Sequence, residues 1–242
     1  MKLNVMTFNI HHGRGTDGQL DLNRIIQVLK ESEADLIGLN EVDRYFSKRS
    51  DYTDQVSWLA EHLQMHHVFG AAITLKSDGT GITRQYGNAF LSRYPIQSES
   101  NHLFNFFRGI IEGRALLEIR IEIDQQPVKA YVTHLSLNPL LHKKQTGFIL
   151  EKIAAEHEPV IVLGDWNMKP GAKAWKKIAS RLTDVCSTGS SAYTTFPSHD
   201  PKFQLDYIFV SRDFKIDSVD VIHEIPSASD HLPLRATLLL NG

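Results

Sequence analysis

Between residues 117 and 123, Leu117, Ile119, Ile121 and Ile123 alternate with Glu118, Arg120 and Glu122. A period of two puts the apolar side chains on one face of an extended chain and the charged ones on the other. Residues 128–135 supply an antiparallel partner through a turn at 124–127, a connection too short for a helical crossover. A half-buried hairpin therefore lies near the middle of the chain, and any fold must give it a core to cover.

Further strands are expected at residues 2–10, 35–42, 67–73, 88–93 (stopped by Pro95), 159–163, 205–210, 216–222 and 234–240. Between them, Leu22, Ile25, Ile26 and Leu29 repeat at helical spacing behind an N-cap at Asp21. Val56, Leu59, Ala60 and Leu63 mark a second helix, and residues 141–155 a third. Strands outnumber helices, and several are joined tightly. That combination predicts an α/β fold with two mixed sheets packed face to face and helices outside. A chain of 242 residues without linker or low-complexity segments suits one domain over 1–242.

Composition removes several classes. Cys186 is the single cysteine, so neither an intrachain disulfide nor a CxxC metal site is available. No run of about 18 apolar residues offers a transmembrane helix. The opening MKLNVMTFNI reads as a strand, not a signal peptide, and a cytoplasmic monomer is expected. A net charge of −2 gives no general attraction to a nucleic-acid backbone.

The polar residues gather at strand ends. Asn9 closes the first strand, Glu41 the second and His134 a later one; Asp165 and Asn167 follow the apolar run IVLG. Asp206 opens LDYIFV, and Asp230 and His231 sit in ASDHLPL. In layered α/β proteins, strand ends open on a common crevice. Acids, amides and imidazoles collected there would suit metal-assisted hydrolysis. Singly, each has an ordinary structural alternative, such as an Asx turn for the aspartates or a hydrogen-bonded core residue for His134. Together, their order carries more.

The stretches TFNI, NEVD, YGNAFLSRYPI, THL, GDWN, LDYIFVS and SDHLPL, from residue 7 to residue 234, resemble the endonuclease/exonuclease/phosphatase superfamily. That superfamily includes deoxyribonucleases, abasic-site endonucleases, neutral sphingomyelinases and inositol polyphosphate 5-phosphatases. The resemblance implies a four-layer α/β/β/α sandwich and a divalent-metal-dependent phosphoesterase. Glu41 would be the main ligand of Mg²⁺, with Mn²⁺ as the alternative, and Asn9 and Asp230 would complete the metal's surroundings. His231 would act at phosphorus as a base or a cation, oriented by Asp206. His134 would donate to a phosphate oxygen, while Asp165 and Asn167 would manage the attacking water.

Asn9, Asn88 and Arg114 are candidates to touch the phosphate. For Asn88 a strand-entry turn is the alternative, and for Arg114 a surface pair with Glu112. His11 and His12 read as loop residues. Trp166 is expected to face into packing. Gln204 and His142 stand where relatives often carry basic residues, which leaves substrate contacts open. The apolar segment 103–111 reads as buried strand and turn, with a lipid or base contact as the alternative. The resemblance fixes phosphate-ester hydrolysis without fixing the ester. A phosphodiesterase acting on a nucleic-acid, nucleotide or lipid-type diester is favoured. A sugar- or inositol-phosphate monoesterase, or a silent phosphate-binding module, is the alternative.

Overall fold

The computed structural model describes residues 1–75, 81–106, 113–188 and 192–241. The alternating segment lies in β6 (Ala115–Ile123), paired antiparallel with β7 (Gln126–His134) from Leu116↔Thr133 to Ile123↔Gln126. The turn between them places Asp124 and Gln125 at positive φ, as a two-residue hairpin connection requires.

The remaining elements, in chain order, begin with β1 (Lys2–Asn9), α1 (Leu22–Glu31), β2 (Leu36–Arg44), α2 (Gln55–Leu63), β3 (His66–Leu75), β4 (Arg84–Ser92) and β5 (Ile96–Leu103). After the hairpin come α3 (Pro139–Ala154), β8 (Val160–Asp165), α4 (Lys173–Ala179), β9 (Thr183–Asp184), β10 (Asp206–Val210), β11 (Phe214–Val221) and β12 (Leu234–Leu240). Asp21 caps α1 as expected, its carboxylate accepting the Asn23 N–H at 2.9 Å.

The strands form two six-stranded mixed sheets, ordered β11-β12-β1-β2-β4-β3 and β5-β6-β7-β8-β10-β9. The alternate positions of β6 pack with Leu3, Leu36, Ile161 and Ile208 in an apolar layer between the sheets. Met6, Ile37 and Leu39 face the other way, onto Ile25, Leu29 and Leu59 of α1 and α2. Tyr131, Val162 and Phe209 likewise meet Ile149 of α3 and Ile178 of α4. The result is the four-layer α/β/β/α sandwich.

Register puts the strand ends together. β1 and β2 run parallel with Asn9 opposite Asn40, and β7 and β8 run parallel with His134 opposite Asp165. β10 runs antiparallel to β8 and enters at Asp206, opposite Asp165. One edge of the sandwich thus gathers polar residues from both sheets. Of the apolar segment 103–111, expected to be buried, Phe104 is buried and stacks with Phe106, whereas Leu103 is 51% exposed; residues 107–111 lie outside the described residues. Among the described residues, no helix is long and apolar enough to cross a membrane.

Candidate active site

Glu41 owes its direction to a bulge. β2 pairs with β4 at Leu39↔Ala89 and next at Val42↔Gly87, so β2 carries one extra residue there. A bulge of this kind turns a side chain out of the pleat. Glu41 takes φ 59°, a conformation that strains a residue with a Cβ and recurs at functional sites. Asn40, fully buried, then points between the sheets. Its amide nitrogen donates to Thr133 O and to Asn88 Oδ1, both at 2.9 Å, and its oxygen accepts the Asp165 N–H at 2.9 Å.

Asp165 is 2 % exposed and stands at the centre. Its Oδ2 accepts from Asn9 Nδ2 at 3.2 Å and faces His134 Nε2 at 3.4 Å and His231 Nε2 at 3.7 Å. Its Oδ1 accepts the Asn167 N–H at 2.9 Å. Burial raises the Asp165 carboxyl above its ordinary range, opposed by His231 and assisted by Asp206. Gly164 makes this placement possible. It adopts φ +143°, and a Cβ there would lie 1.9 Å from Thr133 O.

His231 Nδ1 donates to Asp206 Oδ2 at 2.8 Å, and Thr195 Oγ1 donates to the same oxygen at 2.6 Å. Burial disfavours charge on His231, but Asp206, then Asp165 and Asp230, outweigh it and raise the imidazole above its ordinary value. Burial, then Arg114 and His231, push His134 well below it. The two imidazoles flanking Asp165 are therefore shifted in opposite directions, His231 towards its charged form and His134 towards its neutral form. Ser229 ties the His231 loop to β1 by donating to Asn9 O at 2.7 Å.

The other expected residues divide. Arg114 donates to Gly113 O at 3.4 Å and lies close enough to His134 to depress it, and its Nε is buried without a hydrogen-bond partner. Glu112 lies outside the described residues. Asn88 faces inward. Its amide nitrogen donates to Ala115 O at 3.0 Å and Val132 O at 3.4 Å, and its oxygen receives Asn40. With both amide protons spent between the strands, it positions Asn40 in place of the expected phosphate contact. Asn167, at φ 46°, donates to Leu135 O at 2.9 Å. Trp166 is fully buried against Phe209. His142 Nε2 donates to Trp166 O at 2.8 Å, so it braces the Asp165–Asn167 turn, and its ring forms part of the wall of the cavity beside Asn167.

A divalent cation has donors near Glu41. The Asn9 amide nitrogen spans Glu41 Oε1, at 3.5 Å, and Asp165 Oδ2, while its oxygen accepts the His11 N–H. Asp230 Oδ1 is 3.9 Å from His11 Nδ1. One ring nitrogen each from His11 and His12 and a Glu41 carboxylate oxygen lie within 4.8 Å of one another, so both histidines belong to the site and not to a remote loop. Asp165, Asp206 and His231 form a second such group. A half-buried carboxylate with two imidazole nitrogens beside it fits a divalent metal.

The family model described as Endonuclease/Exonuclease/phosphatase family matches residues 6–231. The chain belongs to the endonuclease/exonuclease/phosphatase family. Members of this family are hydrolases that act on phosphoester bonds. The chain is similar to the uncharacterized protein YbhP of Escherichia coli, 25% identical over 98% of this chain and 96% of that protein. It also resembles the endonuclease/exonuclease/phosphatase of Beutenbergia cavernae, with TM-score 0.80 and 25% identity over 100% of this chain and 72% of that one. A mannosyl-6-phosphatase from Bacteroides thetaiotaomicron shares the fold, with TM-score 0.80 and 16% identity over 98% of this chain and all of the other.

Sequence reasoning overlooked Asn40, Thr195 and Ser229. Asn40 carried a signal, since an amide inside the buried run LIGLNEV needs partners wherever it goes. Ser229 adjoins the family's DH pair. Thr195 had none: its contact with Asp206 is tertiary.

Proposed function

We propose that this chain is a divalent-metal-dependent phosphodiesterase, acting on a nucleic-acid, nucleotide or phospholipid-type diester, with residues 1–242 as one catalytic domain. The observation that carries it is the buried Asp165 side chain, with His134 Nε2 at 3.4 Å and His231 Nε2 at 3.7 Å, at the same sheet edge as Glu41. In this reading Asp165 takes a proton from water, and the water oxygen attacks phosphorus. His231, held by Asp206, and His134 meet the non-bridging oxygens as negative charge grows on them. Asn167 holds the water or a phosphate oxygen. The alkoxide, departing on the side of phosphorus opposite the water, takes a proton from solvent, and Asp165 returns its own to solvent, leaving a monoester and an alcohol. Glu41, with Asn9 and Asp230, would hold Mg²⁺ or Mn²⁺, which polarises the phosphoryl group and stabilises the leaving oxygen.

A cavity of about 500 Å³ beside Asn167 supports a diester. Leu137, Pro139 and Met168 line it with Lys143, Lys173 and Lys177, giving a second ester arm both room and counter-charge. The unpartnered Nε of Arg114 favours a second reading, a phosphomonoesterase, because a monoester dianion would use that spare donor. A monomer in the cytoplasm is the setting we assign.

The test is a hydrolysis panel of a bis-aryl phosphate, a mono-aryl phosphate, plasmid DNA, RNA and sphingomyelin, with Mg²⁺, Mn²⁺ or chelator. We expect metal-dependent turnover of a diester that His231→Ala and Glu41→Ala nearly abolish. Turnover confined to the mono-aryl phosphate would select the second reading, and unchanged activity in either variant would remove the assigned roles.

A further inference from the structure

We infer that His11 and His12 are metal ligands, joining Glu41 in a nitrogen-bearing site that prefers a transition-series divalent ion such as Mn²⁺ to Mg²⁺. The inference rests on the reading of Glu41 as the metal's carboxylate and adds the two histidines, and with them the choice of ion.

Three observations converge. First, a ring nitrogen from each histidine and a Glu41 oxygen lie within 4.8 Å of one another, close enough to share one ion after small side-chain movements. Second, His11 Nδ1 lies 3.2 Å from Arg14 O. A carbonyl can only accept, so Nδ1 carries the proton and Nε2 keeps its lone pair. Metal-binding histidines are commonly fixed in this way, through the ring nitrogen that does not bind. Third, His12 is 6 % exposed, and its Nδ1 is buried with no hydrogen-bond partner. A buried imidazole nitrogen left unpaired is costly, and a bound ion at the ring would explain its retention.

The backbone around these groups is fastened. Gln55, fully buried, donates to His12 O at 2.7 Å and accepts the Asp43 N–H at 2.9 Å. It thereby pins the histidine turn to β2 two residues beyond Glu41. His11 and His12 both hold positive φ, at 44° and 47°, and their rings meet edge to face with centroids 4.5 Å apart. Mg²⁺ strongly prefers oxygen donors and retains its waters, whereas imidazole suits the transition series.

The experiment uses the full chain stripped of metal, with Mn²⁺ and Mg²⁺ as probes. Calorimetry gives both affinities, and electron spin-echo modulation of the Mn²⁺-loaded protein detects coordinated ¹⁴N. We expect ¹⁴N modulation in the unaltered protein, weakened in His11→Ala and in His12→Ala. Mn²⁺ binding should fall at least tenfold in each, with Mg²⁺ binding changed less than twofold. If His12→Ala does not fold, as read by circular dichroism, His11→Ala decides alone, since its side chain is 35% exposed. Mn²⁺ bound without ¹⁴N modulation, yet lost in Glu41→Gln, would overturn the histidine ligands and leave the phosphodiesterase reading intact. Mn²⁺ binding unaffected by Glu41→Gln and by both histidine variants would overturn this inference together with the reading of Glu41.

Discussion

The side-chain oxygen of Asn40 accepts the backbone N–H of Asp165 at 2.9 Å, joining the end of one sheet to the end of the other. The same side chain donates to Thr133 O and Asn88 Oδ1. Asn40→Ala would strand a buried donor and two buried acceptors at once. We expect a loss of roughly 2–4 kcal/mol in equilibrium denaturation and a fall in kcat, because Asp165 loses its backbone anchor. Asn40→Asp should be worse near neutral pH, since its carboxylate would face two acceptors. A loss under about 1 kcal/mol for Asn40→Ala would mean that water replaces the lost bonds.

Gly164 lets β8 pass against β7. Its φ of +143° and the 1.9 Å approach of a built Cβ to Thr133 O leave no room for a methyl group. Gly164→Ala should cost at least roughly 1–3 kcal/mol through backbone strain and displace Asp165, the next residue. Calorimetric melting and turnover should fall together; a variant as stable as the parent would refute this account of the β7–β8 pairing at Gly164.

Acid stability has an identifiable contributor in Glu118, on the outer face of β6. Burial would raise its carboxyl, but Lys129 at 2.7 Å, His102 at 2.8 Å and Lys152 at 3.5 Å hold it down to about 2. A carboxyl lower in the folded than in the unfolded chain stabilises fully above the unfolded value of 4.5, and that contribution is lost as pH falls towards 2. Glu118→Gln should therefore be less stable than the parent at pH 6, with the gap closing between pH 4.5 and 2. Denaturation midpoints across that range measure it. A gap independent of pH would assign the loss to packing instead of charge.

How far the sequence reaches is clearest where it failed. The 117–123 alternation and the apolar runs led to β1, β2, β6, β7, β8, β10 and β12 because burial dictates their composition. β5 went unseen. It is a largely exposed edge strand, IQSESNHL, in which no face needs to be apolar. α4 escaped as a short, lysine-rich helix resting on the core chiefly through Ile178. Within the crevice, residues whose chemistry is visible in their type, such as Glu41, Asp165 and His231, were legible from order and spacing. The histidine pair was not. Its approach to Glu41 comes from two consecutive left-handed residues and a bulge on another strand, neither of which leaves a mark in the sequence.

Asp206 should act on the reaction through His231 and not on its own. Asp206 is fully buried, and its Oδ2 is occupied by His231 Nδ1 and Thr195 Oγ1. An oxygen so engaged serves the imidazole: it fixes the ring orientation that turns Nε2 towards Asp165 and favours positive charge on the ring. Asp206→Asn retains an acceptor at this position but removes the charge. We expect kcat to fall roughly 10²–10⁴-fold, as for other orienting carboxylates, with KM little changed. His231→Ala should cost at least as much. Residues that act as a unit are not additive, so the double variant should be no slower than His231→Ala alone. A double-mutant cycle in kcat, on whichever diester the panel identifies, separates the cases. Full additivity would mean that Asp206 touches the reaction independently of His231, and the chain of contacts from Thr195 to Asp165 would lose its place in the mechanism.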